Sequence, residues 1–402
     1  MEDIVIVGAG IAGLATSLGL HRLGIRSLVL ESADTLRADG YALALWPNAW
    51  KALDALGIGD VLRQQHNQLI SLVTTSVVSG LPTAELPFGG DHEVRRIDRK
   101  VLIETLKNEL PECAVRYSSK LVHIEESGYF KLVYLADGTV VKTKVLIGCD
   151  GVNSKVAQYL GFKKPSLAGR ASIRGHVEFE DRHGFEPKFL QFFGNGARYG
   201  VTPCDEHGVY WFFTYIPSLA DGGIEEEPVK LKQFVSTKLG NIPDKIRAVF
   251  ERTDLNSMIW SQLKFRHPWD LLWGNISKDN VCVVGDALHP MTPDIGQGGC
   301  AAMEDAVVLT RNLASALTRK ASTGMRSREE LEHRMIEIGL SKYGRERRWR
   351  SIKLVSAAYV VGFVQQSDGI LLSFLRDKVF AKLLAGVLLK MSKFDPGKLV
   401  DS

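Results

Sequence analysis

The chain has 402 residues, of which 45% are hydrophobic and 24% charged, as is ordinary for a globular enzyme of two or three domains. Its formal net charge of +4 is small for this length, so we expect no nucleic-acid partner. The five cysteines form no CxxC pair and no metal-ligand spacing, so we expect reduced thiols and no metal site. No apolar run approaches the ~20 residues that a membrane-spanning helix needs.

The N-terminal segment predicts a strand, a helix and a second strand, over Asp3–Val7, Ile11–Leu23 and Ile25–Leu30. The turn between the first two is GAGIAG, whose glycines permit a tight bend and close backbone approach to a pyrophosphate. The free N–H groups at the start of the helix favour the same anion. Glu31 ends the second strand, where a carboxylate can accept hydrogen bonds from ribose hydroxyls. The dinucleotide-binding residues predicted here are Gly8, Gly10, Ile11, Ala12, Gly13 and Glu31.

The middle of the chain changes from helical to strand patterns several times. Residues 68–97 alternate like β-strands, Arg99–Leu110 is helical, and residues 170–216 are rich in strand formers that suggest an inserted second sheet. From Arg328 onward the pattern is mostly helical. These changes predict a discontinuous nucleotide-binding domain (1–70, 98–165 and 275–327), a substrate domain (71–97 and 166–274) and a helical C-terminal region (328–402).

A second glycine- and proline-rich segment, residues 285–299, follows the buried strand Val281–Val284. Asp286 lies at the carboxyl end of that strand, where ligands collect in open α/β sheets. A carboxylate there suits ribityl hydroxyls, which FAD has and NAD lacks. A helix that begins near Gly298 would direct N–H groups toward the flavin edge that becomes negative on reduction. The FAD-binding residues predicted here are Asp286, Pro293, Gly296, Gln297, Gly298 and Gly299.

Three motifs together resemble the single-component (group A) FAD-dependent monooxygenases. They are the GAGIAG turn, the DGVNS segment that starts at Asp150, and the GDALHPMTPDIGQG segment followed by Glu304-Asp305-Ala306. This family includes salicylate and p-hydroxybenzoate hydroxylase and zeaxanthin epoxidase, and Val209–Phe213 looks most like its plant branch. The resemblance implies an α/β fold, with a GR2-type Rossmann-like FAD-binding domain, an inserted mixed β-sheet substrate domain and a helical C-terminus.

The resemblance also implies a reaction. NADPH or NADH would reduce FAD, and reduced flavin with O2 would form a C4a-hydroperoxide that hydroxylates or epoxidises a hydrophobic, electron-rich aromatic or olefinic molecule. Asp150 would contact both FAD and the nicotinamide donor. The family's DG motif usually ends in an arginine, but Ala157 stands at that position here, and Lys155 is the nearby positive charge. There is no second GxGxxG motif, so we expect no dedicated NAD(P)H domain.

Three further cofactor contacts follow from the resemblance. Arg37 would reach the diphosphate or the outer flavin edge. Arg99, which opens a helix, would contact phosphate and ribityl oxygens. Val122, on a strand beside the expected adenine pocket, would offer backbone hydrogen bonds to adenine.

The substrate face is less readable, because the aromatic strand Tyr210–Tyr215 has two faces. Trp211, Phe213 and Tyr215 lie on one face and Tyr210, Phe212 and Thr214 on the other, and one of these sets could line an aromatic pocket over the flavin. We take Trp211, Phe213 and Tyr215 as the candidate substrate residues. An aromatic sheet core is the competing interpretation. Gln191 and Arg198 are weaker candidates for polar contacts with substrate. The class has no shared acid–base triad, so the catalytic side chains are not assigned from the sequence.

Two other functions fit the same motifs: a flavin-dependent oxidase or cyclase of specialised metabolism, and a redox-silent protein that keeps the FAD fold. We assign His289 to shaping its loop. The basic run Lys342–Lys353 would suit peripheral contact with an anionic membrane, but we interpret it as a solvated helical face. A first strand that begins at Asp3 leaves no room for a targeting segment. We therefore expect a cytoplasmic protein, or a plastid protein that has lost a transit peptide.

Overall fold

A computed structural model describes residues 1–37, 42–90, 92–194, 196–218, 227–317, 328–366 and 381–400, with the backbone alone at 366 and 381–385. The strands are β1 (Glu2–Val7), β2 (Leu28–Leu30), β3 (Ala42–Leu45), β4 (Ser71–Ser76), β5 (Pro82–Pro87), β6 (Arg95–Asp98), β7 (Val115–Arg116), β8 (Leu121–Ser127), β9 (Phe130–Leu135), β10 (Val140–Gly148), β11 (Ser166–Glu178), β12 (Lys188–Gly194), β13 (Ala197–Pro203), β14 (Gly208–Tyr215), β15 (Met258–Phe265), β16 (Ser277–Lys278) and β17 (Val281–Val283). The α-helices are α1 (Ile11–Arg22), α2 (Pro47–Leu56), α3 (Gly59–Gln65), α4 (Arg99–Asn108), α5 (Lys155–Tyr159), α6 (Pro228–Lys238), α7 (Asp244–Arg252), α8 (Pro268–Trp273), α9 (Gly298–Leu317), α10 (Arg328–Gln366) and α11 (Ala381–Met391).

The first sheet has eight strands around a parallel centre, in which β17, β10, β1, β2 and β7 are neighbours. Antiparallel strands β9 and β8 extend it beyond β10. Ile4, Val5 and Ile6 of β1 are all buried, as expected for a parallel strand covered on both faces. Helices α1 and α9 pack against each other, so the two glycine-rich segments that precede them lie at the same end of the sheet.

The second sheet has seven strands in the order β15, β11, β14, β13, β12, β4 and β5. All neighbours are antiparallel except β12 and β4. One face belongs to a separate hydrophobic core that includes Val235 of α6 and Phe250 of α7. Because side chains alternate along a strand, the other face is free to line a cavity. The predicted mixed α/β fold with a helical C-terminal part is confirmed.

The basic run on α10 was interpreted from the sequence as a solvated helical face, and the structure shows that this is wrong for part of it. Arg345 is exposed, but Arg347 is fully buried and Arg350 nearly so. The reason is that α10 packs along α9 and turns these two guanidinium groups toward Glu304 and Asp305 of that helix. Across the described helices, none is long and apolar enough to cross a membrane.

Candidate active site

The N-terminal turn is a backbone cradle that only glycine can form. Gly8 has φ of +103°, and a Cβ atom there would lie 2.5 Å from the carbonyl oxygen of Cys149. A Cβ at Gly13 would lie 1.9 Å from the carbonyl oxygen of Gly8. Gly10 caps α1 with extended backbone, and a Cβ there would meet no protein atom within 4 Å. The turn is therefore closed on its protein side and open in front of α1, which fits a diphosphate held by helix N–H groups.

Glu31 lies behind this turn with its side chain almost fully buried. Its Oε2 accepts a hydrogen bond from the Ala9 amide at 2.9 Å, and its Oε1 accepts from the Ala33 amide and from Arg37, also at 2.9 Å. Burial raises the pKa of Glu31, but the Ala33 and Ala9 amides and the Arg37 charge outweigh it and leave the pKa below its ordinary value. The carboxylate is thus ionised. Within the described residues, Ala9 is the only donor to Oε2, so this oxygen can accept a further hydrogen bond from a ribose hydroxyl.

The loop at residues 285–299 meets the N-terminal turn directly. A Cβ at Gly285, whose φ is +62°, would lie 2.9 Å from the Cβ of Ala12. A Cβ at Gly299 would lie 3.8 Å from Cδ1 of Ile11. The two motifs, which are far apart in sequence, therefore form one continuous cleft.

Asp286 follows β17 and presents its carboxylate to this cleft. The side chain is solvent-exposed there, although protein surrounds it at longer range. Burial raises the pKa of Asp286, while the charges of His289 and Arg99 partly oppose that change. Gly298 begins α9 close by, because a Cβ on it would lie 4.0 Å from Oδ1 of Asp286. These groups fit the ribityl chain and ring of a flavin.

The structure places the remaining predicted cofactor residues at various distances from this cleft. Arg37 pairs with Glu31, and Arg99 donates to the carbonyl oxygen of Arg37 at 3.3 Å, so the two arginines are neighbours. Asp150 lies behind Gly8 and accepts from the Ser154 hydroxyl at 2.5 Å and the Lys155 amide at 2.6 Å, so its carboxylate caps α5. Val122 is exposed on β8. Pro293 and Gly296 line the cavity described below, and the contacts of Gln297 follow next.

A buried network of charges supports the loop from behind. Asp305 accepts hydrogen bonds from the Gly285 amide at 2.8 Å and from Arg347 at 2.5 Å, and pairs with His289 at 2.7 Å. Burial raises the pKa of Asp305, but His289 and Arg347 outweigh it and bring the pKa down to about 2. His289 is fully buried, so its contact with Asp305 shapes the loop.

Glu304, the residue before Asp305, is also held by buried polar partners. It accepts from Arg350 at 2.6 Å and from Asn48 at 2.5 Å, and it pairs with Arg347 at 2.7 Å. Asn48 also donates to Gln297 at 2.8 Å. The acidic pair at the start of α9 thus ties α2, α10 and the loop together. Sequence reasoning quoted Glu304 and Asp305 only as part of a motif and did not find their partners on α10.

A second ion cluster joins the loop to the second sheet. Asp294 is almost fully buried and binds Arg170 of β11 through both of its oxygens, at 3.0 and 2.8 Å. Arg198 of β13 donates to the same carboxylate at 3.0 Å. The 285–299 loop therefore presents Asp286 to the cofactor cleft and binds the second sheet through Asp294.

Between the loop and the sheet lies a cavity of about 380 Å³. Its loop side is formed by residues of β3, by Trp46 just after it and by the 285–299 segment, among them Leu43, Asp286, Met291, Pro293, Gly296, Gly298 and Gly299. Its sheet side is formed by Leu72, Arg96, Ser172, Arg174, Phe189, Gln191, Arg198, Thr202, Tyr210, Phe212, Ser261 and Leu263. Cofactor cleft and substrate-sized space are thus one compartment.

The assignment of the substrate face to Trp211, Phe213 and Tyr215 is corrected by this geometry. All three are buried in the core that α6 and α7 cover, on the face away from the cavity. Tyr210 and Phe212 line the cavity instead. The physical reason is the two-residue period of the strand, which sends the odd-numbered side chains toward the helices.

The weaker candidates Gln191 and Arg198 do line the cavity, but Arg96 and Arg174 were missed as site residues. A signal was present in β11, where Arg170, Ser172 and Arg174 alternate with the apolar Ala171 and Ile173. Polar residues at every second position mark a face that avoids a hydrophobic core. The position of the family's usual arginine, Ala157, is 2% exposed, so a long side chain there would enter the core.

Comparisons with known proteins show the family of this chain. A family model described as "FAD binding domain" matches residues 1–333. The chain is 53% identical to Monooxygenase 2 of Arabidopsis thaliana over 401 residues, which cover 99% of this chain and 98% of that protein. It is 31% identical to 3-hydroxybenzoate 6-hydroxylase of Klebsiella oxytoca over 328 residues, which cover 77% of this chain and 79% of that protein.

Among solved structures, HpxO of Klebsiella pneumoniae complexed with FAD and uric acid has the same fold. The TM-score is 0.82 at 23% sequence identity, and the match covers 97% of this chain and 96% of that one.

Proposed function

The chain belongs to the group A FAD-dependent monooxygenases, as its motifs predicted, and from that premise we propose that it uses NADPH or NADH and O2 to hydroxylate or epoxidise a hydrophobic, electron-rich small molecule. The observation that carries the proposal is the single cavity between Asp286 and Gly298 on one side and the face of the second sheet on the other. A molecule on that face would lie next to a ring bound at the start of α9.

Bound FAD would supply the redox chemistry, taking electrons from NAD(P)H and activating O2 as the flavin C4a-hydroperoxide that the resemblance implies. The chain's own residues would do four things. Gly8, Gly10 and Gly13 would hold the diphosphate, and Asp286 would accept hydrogen bonds from ribityl hydroxyls. The N-terminus of α9 at Gly298 would stabilise negative charge on the reduced ring.

The fourth task is to hold the substrate and exclude water. Phe189 and Phe212 form an edge-to-face pair with ring centroids 6.1 Å apart in the cavity wall. Leu72 and Leu263 add apolar surface to the same wall. Such a surface suits an aromatic or olefinic molecule. Two similar proteins also have aromatic ligands in their names: one is a hydroxybenzoate hydroxylase, and the other is HpxO, whose structure was solved with uric acid.

A flavin-dependent oxidase or cyclase is the second candidate, and one observation favours it. Ala157 is buried at the place where the family usually has an arginine, and Lys155 at the start of α5 is exposed. Docking of NAD(P)H would therefore differ from that of typical members. A redox-silent protein is the third possibility, but Asp286 and the open glycine cradle argue against it.

Oxygen-isotope labelling separates these functions. Holoenzyme would be incubated with NADPH or NADH, 18O2 and a mixture of aromatic and olefinic compounds, and the products analysed by mass spectrometry. We expect one labelled oxygen atom in the product for each nucleotide whose oxidation is coupled to oxygenation. Consumption of O2 with unlabelled products and hydrogen peroxide would identify an oxidase, and no consumption of either nucleotide or of O2 would identify a redox-silent protein.

The state of the cysteines supports a proposal about the cell compartment. All five are free thiols, and three of them are buried. We propose a reducing compartment, the cytoplasm or the plastid stroma, with contact to a membrane no more than peripheral. Imaging of a fluorescent fusion of the full-length protein would decide between the two compartments, and secretion would contradict both.

A further inference from the structure

The sheet side of the cavity carries more positive charge than its neighbours neutralise. Arg96, Arg174 and Arg198 all line it, and the Nε–H group of each is buried without a hydrogen-bond acceptor in the described residues. Arg198 shares Asp294 with Arg170. Arg96 and Arg174 make no ion pair within the ranges that the structure describes, although Arg96 is only 6% exposed.

These two arginines line the cavity together with Tyr210. Arg174 on β11 lies opposite Phe212 of β14, two residues from Tyr210, and Arg96 reaches the cavity from β6. Burial raises the pKa of Tyr210 to about 12, and the positive charges of Arg174 and Arg96 oppose that rise. The two guanidinium groups and the phenol therefore belong to one compartment.

The charges of Glu178, Asp205 and Asp98 act on the neighbouring His176, but none of these carboxylates forms an ion pair with Arg96 or Arg174 in the described residues. Asp294 is occupied by Arg170 and Arg198, and Asp286 lies at the flavin end of the cavity. Asp205 is near enough for Arg96 to help lower its pKa, but it forms no ion pair with Arg96. The end of the cavity around Tyr210 is thus a positive pocket.

The distance from the loop to the positive pocket can be read along β14. Arg198, which binds Asp294 of the loop, is opposite Thr214, and Thr202 is opposite Tyr210. Thr214 and Tyr210 are four residues apart on the strand, which corresponds to roughly 13 Å. A small aromatic acid held by its carboxylate at the level of Tyr210 would therefore have its ring between that level and the loop.

An uncompensated buried cation costs stability, so an arginine without a partner in a cavity indicates a ligand that supplies the negative charge. The planar guanidinium fork matches a carboxylate better than any neutral group, because two parallel N–H groups can donate at once.

We propose that the substrate bears a carboxylate or an equivalent oxyanion, and that Arg96 and Arg174 bind it beside the Tyr210 hydroxyl. The aromatic or olefinic part then extends past Phe212 toward Gly298. This orientation rests on the proposed function, whereas the binding of an anion does not.

Calorimetric titration of the FAD-loaded protein with matched acid and amide pairs tests the proposal. The probes are benzoate and benzamide, 4-hydroxybenzoate and 4-hydroxybenzamide, cinnamate and cinnamamide, and indole-3-acetate and indole-3-acetamide. We expect at least one acid to bind about tenfold or more tightly than its amide, as a charge-assisted hydrogen bond predicts. In Arg96→Gln and Arg174→Gln the ratio of the affinity for the acid to that for the amide should fall toward one.

Controls separate loss of the site from loss of the fold. Arg345→Gln changes an exposed arginine on α10 and should leave the preference unchanged. Thermal unfolding of Arg96→Gln and Arg174→Gln without ligand should occur at the same or a higher temperature than in the wild type, because an unpaired charge is removed from the cavity wall. A merely structural arginine would lower it.

Equal binding of acids and amides, no binding of any acid, or a preference that survives in both arginine variants would overturn the proposal. Because calorimetry needs no turnover, an acid preference in a protein that never consumes NADPH would contradict the proposed function and leave this inference standing.

Discussion

The two sides of the cavity differ in how their charges are satisfied. Behind the cofactor cleft, Glu31, Glu304 and Asp305 each have several donors within the protein. On the sheet side, Arg96 and Arg174 have no carboxylate partner in the described chain. The first region is thus organised by its own contacts, whereas the second is organised for a partner that the chain does not provide. Mutations should therefore lower stability on the first side and alter binding on the second.

The largest effect is expected at Arg347, which neutralises both Glu304 and Asp305 in a fully buried position. Arg347→Met should lower the free energy of unfolding by about 3–5 kcal/mol, because it leaves buried carboxylates without their partner. Urea unfolding of the variant measures this loss. Arg345→Met on the exposed face of the same helix is the matched control and should stay within about 0.5 kcal/mol of the wild type. Equal stabilities of the two variants would contradict the network.

Adjacent phenylalanines on β14 give the sharpest comparison between a core and a cavity. Phe213→Ala should cost about 3–5 kcal/mol, because Phe213 is fully buried in the second core. Phe212→Ala should cost much less, because Phe212 lines the cavity, yet it should weaken binding of aromatic ligands. Thermal unfolding and ligand titration of both variants measure the two effects. The opposite order would mean that the faces of the strand are exchanged.

Gly13 and Gly10 make a similar pair in the N-terminal turn. Gly13→Ala should cost about 1–3 kcal/mol or more, because its Cβ would lie 1.9 Å from the carbonyl oxygen of Gly8. Gly10→Ala meets no protein atom within 4 Å, so the FAD-free protein should unfold at nearly the same temperature as the wild type. Its FAD content, read from flavin absorbance, should nevertheless fall if the diphosphate occupies that space. Full FAD retention in Gly10→Ala would place the diphosphate elsewhere.

A smaller effect is expected in acid. Asp305 has a pKa of about 2 instead of 3.8, so its ionised form adds roughly 2 kcal/mol of stability above pH 3.8, and this is lost as the pH falls toward 2. The difference in unfolding free energy between wild type and Asp305→Asn should therefore be largest near neutral pH and narrow below pH 3.8. A difference that stays constant with pH would show that Asp305 is not held ionised by His289 and Arg347.

Sequence reasoning reached the fold and the cofactor loops because both depend on local rules. Gly8 and Gly13 are required by backbone geometry, and β1 is recognisable as a buried run of Ile and Val. The relative position of the two glycine-rich segments also follows, since parallel strands end at one edge of a sheet.

The substrate face could not be predicted in the same way. Which face of β14 meets the cavity is set by α6 and α7, which cover the other face and lie later in the chain. The partners of Arg347 and Arg350 depend on how α10 crosses α9, and their charges alone gave the pattern of a surface helix. Long-range packing, not local propensity, decided both cases.

The central claim is that NAD(P)H reduces a flavin in this cleft and that the reduced flavin activates O2. The most direct test is to mix the FAD-loaded protein with NADPH or NADH without oxygen, then with O2, while recording flavin absorbance, with and without the aromatic acids above. The account predicts bleaching of oxidised flavin, followed after O2 by a transient spectrum distinct from the oxidised and reduced forms. No bleaching by either nucleotide, even with the acids present, would contradict it.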